Sequence, residues 1–353
     1  MTRKGAVCKG ALCGVLCLTR AMAHAQSSVT LYGIVDSGLL WQSRTSNGGG
    51  GTVSALDGGW SPSFWGMSGT EDLSAGYKVN FKLEGGMSTT NGAFGNSNGG
   101  LFGRNAYVGV SGPFGTVNAG VQYSPFFLSV YSSDPRSMPL FGSSLIPYLQ
   151  NFVISGIFDS NALVYTSPTV AGLSGAVEYA FGNVAGSFAA GRHISAALNY
   201  KNGPASATAS YFEAKDAKSG VTTLRGENIG IGYGLGPVGM KLGFTNYRNP
   251  SSGAGLANVN VYTVGAEWDL NSVVVLNAAV YASRDRNVTA NKSMLYAGGV
   301  QYLLSKRTTL YAQVGVVDNK GGMDTMLAAN AAASFSPPQG TTVGVNVGIR
   351  HEF

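Results

Sequence analysis

Residues 343–353 alternate without a break. Val343, Val345, Val347, Ile349, His351 and Phe353 hold one parity, and Gly344, Asn346, Gly348, Arg350 and Glu352 hold the other. A period of two marks a strand with one apolar and one polar face. Residues 77–84 repeat the pattern with charge on the polar side: Tyr77, Val79, Phe81 and Leu83 against Lys78, Asn80, Lys82 and Glu84. The dyad returns at 194–201, 205–212, 228–235, 238–245 and 309–316. One such stretch is a weak signal, and its recurrence along the chain carries the inference. A polar face this charged belongs against water, and the apolar face then belongs against lipid.

The breaks between dyads fall into two kinds. Tight turns such as Ser111–Gly115, Lys201–Pro204 and Leu235–Pro237 alternate with long Gly/Ser/Asn-rich stretches at 42–59, 90–100, 125–157, 183–191, 214–224, 247–258, 284–292 and 318–341. Between them the pattern predicts sixteen strands, at 28–41, 60–70, 75–89, 101–111, 115–124, 159–167, 172–182, 191–201, 204–214, 224–235, 238–247, 258–269, 272–284, 292–304, 307–317 and 341–353. Short turns at one end and long loops at the other are the asymmetry of a transmembrane β-barrel. The fold class is therefore all-β, a sixteen-stranded antiparallel barrel. An even count brings the first and last strands to the same side, where they can pair. Closure is required because an open edge in lipid leaves backbone N–H and C=O groups unpaired. A barrel this wide keeps an aqueous lumen, whereas about eight strands fill with side chains.

Composition narrows the picture. Arg3, Lys4 and Lys9 precede a short apolar run from Gly10 to Leu18, and Ala23-His24-Ala25 offers a small-x-small cleavage site. Residues 1–25 thus read as a cleaved signal peptide, with 26–353 as the barrel. The run is well short of the ~20 residues of a spanning helix. Cys8, Cys13 and Cys17 all lie in the leader, so the exported chain has no disulfide or thiolate chemistry. Four of the 23 basic residues leave with it, which nearly balances the 17 acidic ones. A nucleic-acid binder would want a basic stripe, so nucleic acid is not an expected partner. His193 and His351 are the remaining histidines; neither has an acidic or nucleophilic partner by local spacing, and two isolated histidines make no metal site. No cofactor, metal or catalytic group is expected. Gly230-Ile231-Gly232-Tyr233-Gly234 lacks a surrounding βαβ unit and reads as small inward residues on a strand. Arg104 is in phase with Ala106, Val108 and Val110, the lipid side, so it must sit near the rim, face a neighbouring subunit or follow a bulge.

Specific stretches carry a resemblance. Ser28-Val29-Thr30-Leu31-Tyr32-Gly33, Gly69-Thr70-Glu71-Asp72-Leu73, Arg104-Asn105-Ala106-Tyr107-Val108-Gly109, Ser111–Val117, Leu304-Ser305-Lys306-Arg307-Thr308 and the ending Val347–Phe353 resemble the trimeric sixteen-stranded porins of Gram-negative bacteria, the betaproteobacterial type above all. The resemblance implies a homotrimer in outer-membrane lipid that passes small hydrophilic solutes and ions. It also implies a constriction made by 125–157, the third long loop, folding inward. Phe353 resembles the terminal signal read by the barrel assembly machinery.

The constriction departs from that family. Positions where a basic wall is usual are apolar: Ile34, Phe64, Val121 and Phe158, with Ser68 at another. The third loop carries Leu140, Phe141, Leu145, Ile146, Pro147, Tyr148 and Leu149 but only Asp134 and Arg136 as charges, with Asp159 just beyond. Two readings stay open. In one, charge has moved, and Lys78 and Lys82 form the basic patch, opposed by Glu84 and by Asp36 on the first strand; selectivity is weak and leans anionic. In the other, a semi-apolar collar favours neutral or aromatic solutes. Channel selectivity follows the groups at the narrowest point, so the readings predict different ion ratios. An outer-membrane hydrolase and an adhesin are the rival classes; the first needs a histidine within reach of a nucleophile, and the long loops alone do not favour the second.

Overall fold

Every dyad finds a partner on both sides. A computed structural model describes residues 28–46, 49–95, 99–331 and 335–353; the leader expected over 1–25 lies outside them. The first strands are β1 (Ser28–Gln42), β2 (Thr52–Leu56), β3 (Phe64–Asp72), β4 (Lys78–Gly86), β5 (Asn105–Gly112), β6 (Gly115–Gln122), β7 (Asp159–Thr166) and β8 (Leu173–Ala180). They continue with β9 (His193–Asn202), β10 (Ala205–Lys215), β11 (Thr222–Leu235), β12 (Val238–Arg248), β13 (Asn258–Asp269), β14 (Val274–Asp285), β15 (Lys292–Leu303), β16 (Thr308–Lys320) and β17 (Gly340–Glu352). From β3 onward each pairs antiparallel with the next, and β17 returns to β1. The seam runs from Ile34 opposite Glu352 to Gln42 opposite Gly344. Phe353 completes it: its N–H donates to the Gly33 carbonyl at 3.1 Å, and Gly33 N–H donates back at 3.2 Å.

The seventeen strands make sixteen staves, because β2 and β3 share β1 as a neighbour. β2 lies against Gly38–Gln42 and β3 against Ser28–Ile34. Residues 57–63 between them leave the wall, which corrects the strand expected at 60–70. Gly58 takes a left-handed φ of +74° and Pro62 has no N–H to give a ladder, so the sheet cannot run through.

Parity sorts the faces. Val29, Leu31, Leu198, Ile229, Ile231, Tyr233, Leu242, Val264, Trp268, Val347 and Ile349 are exposed on the outside, while Asn228, Thr245, Asn277, Gln313 and Asn346 are buried on the inside. Apolar out and polar in inverts a soluble barrel. No helix among the described residues is long and apolar enough to cross a membrane; the strands do the crossing.

The apolar core lies within the cylinder, where residues 125–157 fold as α1 (Pro125–Ser133) and α2 (Leu145–Phe152). Ser124 caps α1, its hydroxyl accepting from Phe127 N–H at 3.1 Å, and Pro125 fills a first-turn position whose missing N–H costs nothing. Phe126, Phe127, Val130, Tyr148 and Phe152 cluster with Phe212 and Tyr247 of the wall. Glycines clear the wall for this docking: a Cβ at Gly226 would run into the Phe126 ring, and one at Gly230 into Ser133.

Candidate functional site

The inward segment is held by polar side chains on the inner face. Phe126 N–H donates to Ser195 Oγ at 2.9 Å, Ser129 and Thr208 share a hydrogen bond of 2.7 Å, and Asn228 donates to Ser129 at 2.9 Å. Arg136 reaches across to β14 and β16, donating from Nε to Asn277 and from Nη2 to Gln313, both at 2.7 Å. It also donates to the carbonyls of Phe141 and Gly142. Asp134 accepts from the N–H groups of Arg136, Met138 and Ser144 at 2.8–2.9 Å. Asp134 and Arg136 are both fully buried. They shape and pin the loop and do not face the lumen as free charges.

Asp36 is likewise spent on architecture. Its carboxylate accepts from Ser61 N–H at 2.7 Å and from Tyr311 Oη at 2.6 Å, and Gly59 N–H points at it from 3.4 Å. This anion holds the excursion 57–63 inward. There Gly59 and Trp60 carbonyls accept from Phe141 and Leu140 N–H, each at 3.1 Å, and Gly142 N–H and Leu140 O bond Leu327 and Ala329. Three chain segments are thereby stitched across the lumen.

Glu84 is buried, accepting from Tyr32 Oη and pairing with Lys82 Nζ, each at 2.8 Å, and from Asn105. Lys82 is therefore neutralised. Lys78 opens β4 opposite Asp72 and Ser111, beside two tight turns, and does not line the narrowing. Asp159 accepts from Gly156 N–H at 3.1 Å and meets His193 Nδ1 at 2.8 Å. Spacing along the chain hides this His–Asp pair, whose members are 34 residues apart. No hydroxyl or thiol bonds His193 among the described residues.

The open gap has a volume of about 660 Å³. Ile34, Phe64 and Phe158 line it from the wall, facing Leu128, Tyr131, Met138, Leu140 and Leu149 of the loop. Val121 does not join them. Its cross-strand neighbour is Ala106, itself opposite Leu83, on the outward side. The loop's Phe141, Ile146 and Tyr148 are buried in packing, so the apolar lining comes only in part from the residues singled out by sequence.

Two cations and one acid complete the lining: Arg104, Arg350 and Asp57. Arg104 precedes the regular register of β5, and it turns inward alongside Asn105. Parity alone places it toward lipid; the local irregularity reverses it. Its guanidinium lies 4.6 Å from the Phe64 ring centre and 5.1 Å from that of Phe158, and donates to Tyr123 Oη at 2.8 Å. Its Nε has no hydrogen-bond partner among the described residues. Arg350 lies opposite Asp36, on the inner face, and pairs with Glu352. Its place in the terminal dyad makes it legible as inward, but nothing local ties it to the gap.

A closed barrel, narrowed from within and apolar without, matches a family model for Gram-negative porins over residues 11–322. The chain belongs to the Gram-negative porin family. Outer membrane porin protein 32 of Delftia acidovorans is 32% identical over 94% of this chain and 95% of its own length. An outer membrane porin protein of Bordetella pertussis is 27% identical over 94% of this chain and 96% of its own. Among solved structures, the anion-selective porin from Comamonas acidovorans superposes with a TM-score of 0.81 at 28% identity, covering 93% of this chain and all of that one. This porin thus forms a channel in the outer membrane, and a channel, not an enzyme, is what family and fold point to.

Proposed function

We propose that this porin passes small hydrophilic solutes and ions passively, without catalysis or cofactor, through the gap between 125–157 and the wall, with a weak preference for anions. One observation carries the reading: of the charges around the narrowing, Arg104 lines the gap with no ion pair and Arg350 lines it paired with Glu352, whereas Asp36, Glu84, Asp134 and Asp159 are engaged in hydrogen bonds away from it. Asp57 is the opposing acid, and it is engaged by Thr89 N–H and Oγ1 at 2.9 Å. The relative from Comamonas acidovorans is described as anion-selective, which supports the same sign.

The collar refines the preference. A guanidinium flanked by two aromatic faces, with Ile34 and Leu128 beside it, favours anions that carry an apolar or aromatic body. Assembly as a homotrimer is supported by the exposed apolar surface of Val29, Leu31, Leu39, Trp41 and Val53 on neighbouring staves. Export through the leader 1–25 and insertion by the barrel assembly machinery, with Phe353 as the terminal signal, complete the proposal.

Reversal potential in planar bilayers under a KCl gradient tests it. The wild type should be weakly anion-selective, and Arg104→Gln/Arg350→Gln should lose or invert that sign. Swelling of proteoliposomes should be faster in benzoate than in a charged aliphatic solute of equal size. A cation-selective wild type, or one whose potential the double substitution leaves alone, would overturn the assignment.

A further inference from the structure

A second carboxyl stands beside Asp159, and the fold gives it no donor. Glu178 faces inward from β8, between Val164 of β7 and Ser195 of β9, with 3% of its surface exposed. Neither of its oxygens has a hydrogen-bond partner among the described residues. Asp159, also 3% exposed, leaves its Oδ2 equally bare. The two side chains lie within hydrogen-bond reach of each other. Buried polar atoms without a partner are rare in folded proteins, so three of them at one spot call for an occupant.

The elements packed around the pair supply no counter-charge to Glu178. On β6, Gln122 stands opposite Asp159 but turns its amide N–H to the carbonyls of Asn118 and Ala162, at 3.3 and 3.4 Å. On β9, His193 meets the other oxygen of Asp159, Oδ1, at 2.8 Å, and Ser195 Oγ takes the Phe126 N–H at 2.9 Å. Arg192, next to His193, is held by Glu213 at 3.3 Å. β10 offers only the Phe212 ring, 5.5 Å from that of His193. From the loop, Tyr148 donates to the Ser155 carbonyl at 2.7 Å, and Arg104, over the Phe158 ring, donates to Tyr123 at 2.8 Å. No group of three metal-ligating side chains that could hold an ion occurs among the described residues. A proton is what remains. Two carboxylates in one dry site cannot both stay ionised, whereas one proton between them turns the repulsion into a hydrogen bond.

Position gives this proton a task. Asp159 Oδ1 accepts from Gly156 N–H at 3.1 Å. The Gly156 carbonyl in turn accepts from Ser124 N–H at 3.3 Å and from Ser124 Oγ, so the two ends of 125–157 are tied to each other and to this carboxyl. Ser195, opposite Glu178, holds the first turn of α1 through Phe126. The pair thus supports both the entry and the exit of the inward segment. Neither carboxyl lines the gap, so neither meets a passing ion.

We propose that Asp159 and Glu178 share a single proton, and that this dyad is a pH-sensitive clasp at the root of 125–157: it holds while the proton is bound and loosens the segment as rising pH removes it. The sign follows from linkage. An undocked segment leaves both carboxyls in water and ionised, so docking takes up one proton and weakens with pH by at most about tenfold per unit. In single-channel records of the intact porin, excursions to higher conductance should multiply from neutral to alkaline pH, up to that slope. Glu178→Gln, whose amide donates to Asp159 without a titrating proton, should be as quiet as the wild type at neutral pH and stay so in alkali, with an unchanged reversal potential. Infrared spectra in D2O add a readout on the wild type itself: a protonated carboxyl C=O band at neutral pH that vanishes in alkali and is missing from Glu178→Gln. Absence of the band from the wild type at neutral pH, its persistence in Glu178→Gln, or alkaline excursions in that variant equal to those of the wild type would overturn the proposal. So would suppression of the excursions by millimolar calcium, which would mark a cation site in place of a shared proton.

Discussion

Replacing Arg136 with Met should loosen the narrowing without changing the charge exposed to the lumen, because Arg136 is fully buried. The side chain is fully buried and makes four donor contacts: to Asn277 and Gln313 at 2.7 Å, to the Phe141 carbonyl at 2.9 Å, and to the Gly142 carbonyl. Burial pushes its pKa below the ordinary arginine value, yet a guanidinium keeps its proton throughout any working range. The contacts are therefore charge-assisted at every pH a channel meets. Water in the lumen can rebond acceptors that lose them, so about 1 kcal/mol net per contact is the appropriate scale, or roughly 4 kcal/mol in all. That corresponds to an undocked loop population about a thousandfold larger. Single-channel records of Arg136→Met should show added open-channel noise and excursions to higher conductance. Limited proteolysis should gain a cut within 134–142. Arg136→Lys, with three donors and no fork, should fall between. A quiet channel with wild-type proteolysis and a shifted reversal potential would refute the reasoning and return Arg136 to the pore as a selectivity charge.

Lys78→Gln should leave the reversal potential unchanged, and Lys82→Gln should move it less than Arg104→Gln does, because Glu84 already compensates Lys82 at 2.8 Å; KCl-gradient recordings of the three single variants rank them. Asp36→Asn keeps the side chain's shape but loses one acceptor for the Gly59, Ser61 and Tyr311 donors, so thermal denaturation of the folded barrel on gels should shift down by an amount equivalent to ~1–3 kcal/mol. A variant as heat-resistant as the wild type would mean that the excursion 57–63 does not depend on this anion.

The barrel itself is legible in the sequence because a strand with lipid on one side and water on the other must alternate, and no tertiary information is needed to see a period of two. What escapes is whatever depends on a partner distant in sequence. Gly58 and Pro62 mark a break in the second stave, but that the broken segment turns into the lumen follows from Asp36 capturing backbone 25 residues away. Val121 corresponds to a position of the family's basic wall, whereas its register puts it outward, and for Arg104 the bulge is one of three placements the sequence leaves open. Inward or outward is counted from a reference residue, and a single irregularity before Asn105 reverses the count for Arg104. The loop's apolar residues are visible, but whether each packs or lines the gap depends on where the wall has glycine. Gly226 admits Phe126, whereas Leu140 and Leu149 have the lumen beside them.

The acids show why charge inventories mislead in a pore. Asp36, Glu84, Asp134 and Asp159 all cluster near the narrowing, and a count by position would make it acidic. Three of them are instead surrounded by donors: backbone N–H groups for Asp134, backbone and Tyr311 for Asp36, and Tyr32, Asn105 and Lys82 for Glu84. Asp159 takes Gly156 and His193 on one oxygen and has its other oxygen buried with no partner among the described residues. A buried carboxylate so bonded projects little field into the water, because its local dipoles point toward it. Arg104 has the opposite arrangement, with one hydroxyl and two ring faces around it and an Nε without a partner among the described residues. Rings polarise toward the cation without cancelling its charge, so its field survives into a gap bounded by low-dielectric walls that concentrate it. The sign of the pore follows from which charges the fold has left without a counter-ion, and along the gap that is Arg104, since Arg350 is paired with Glu352.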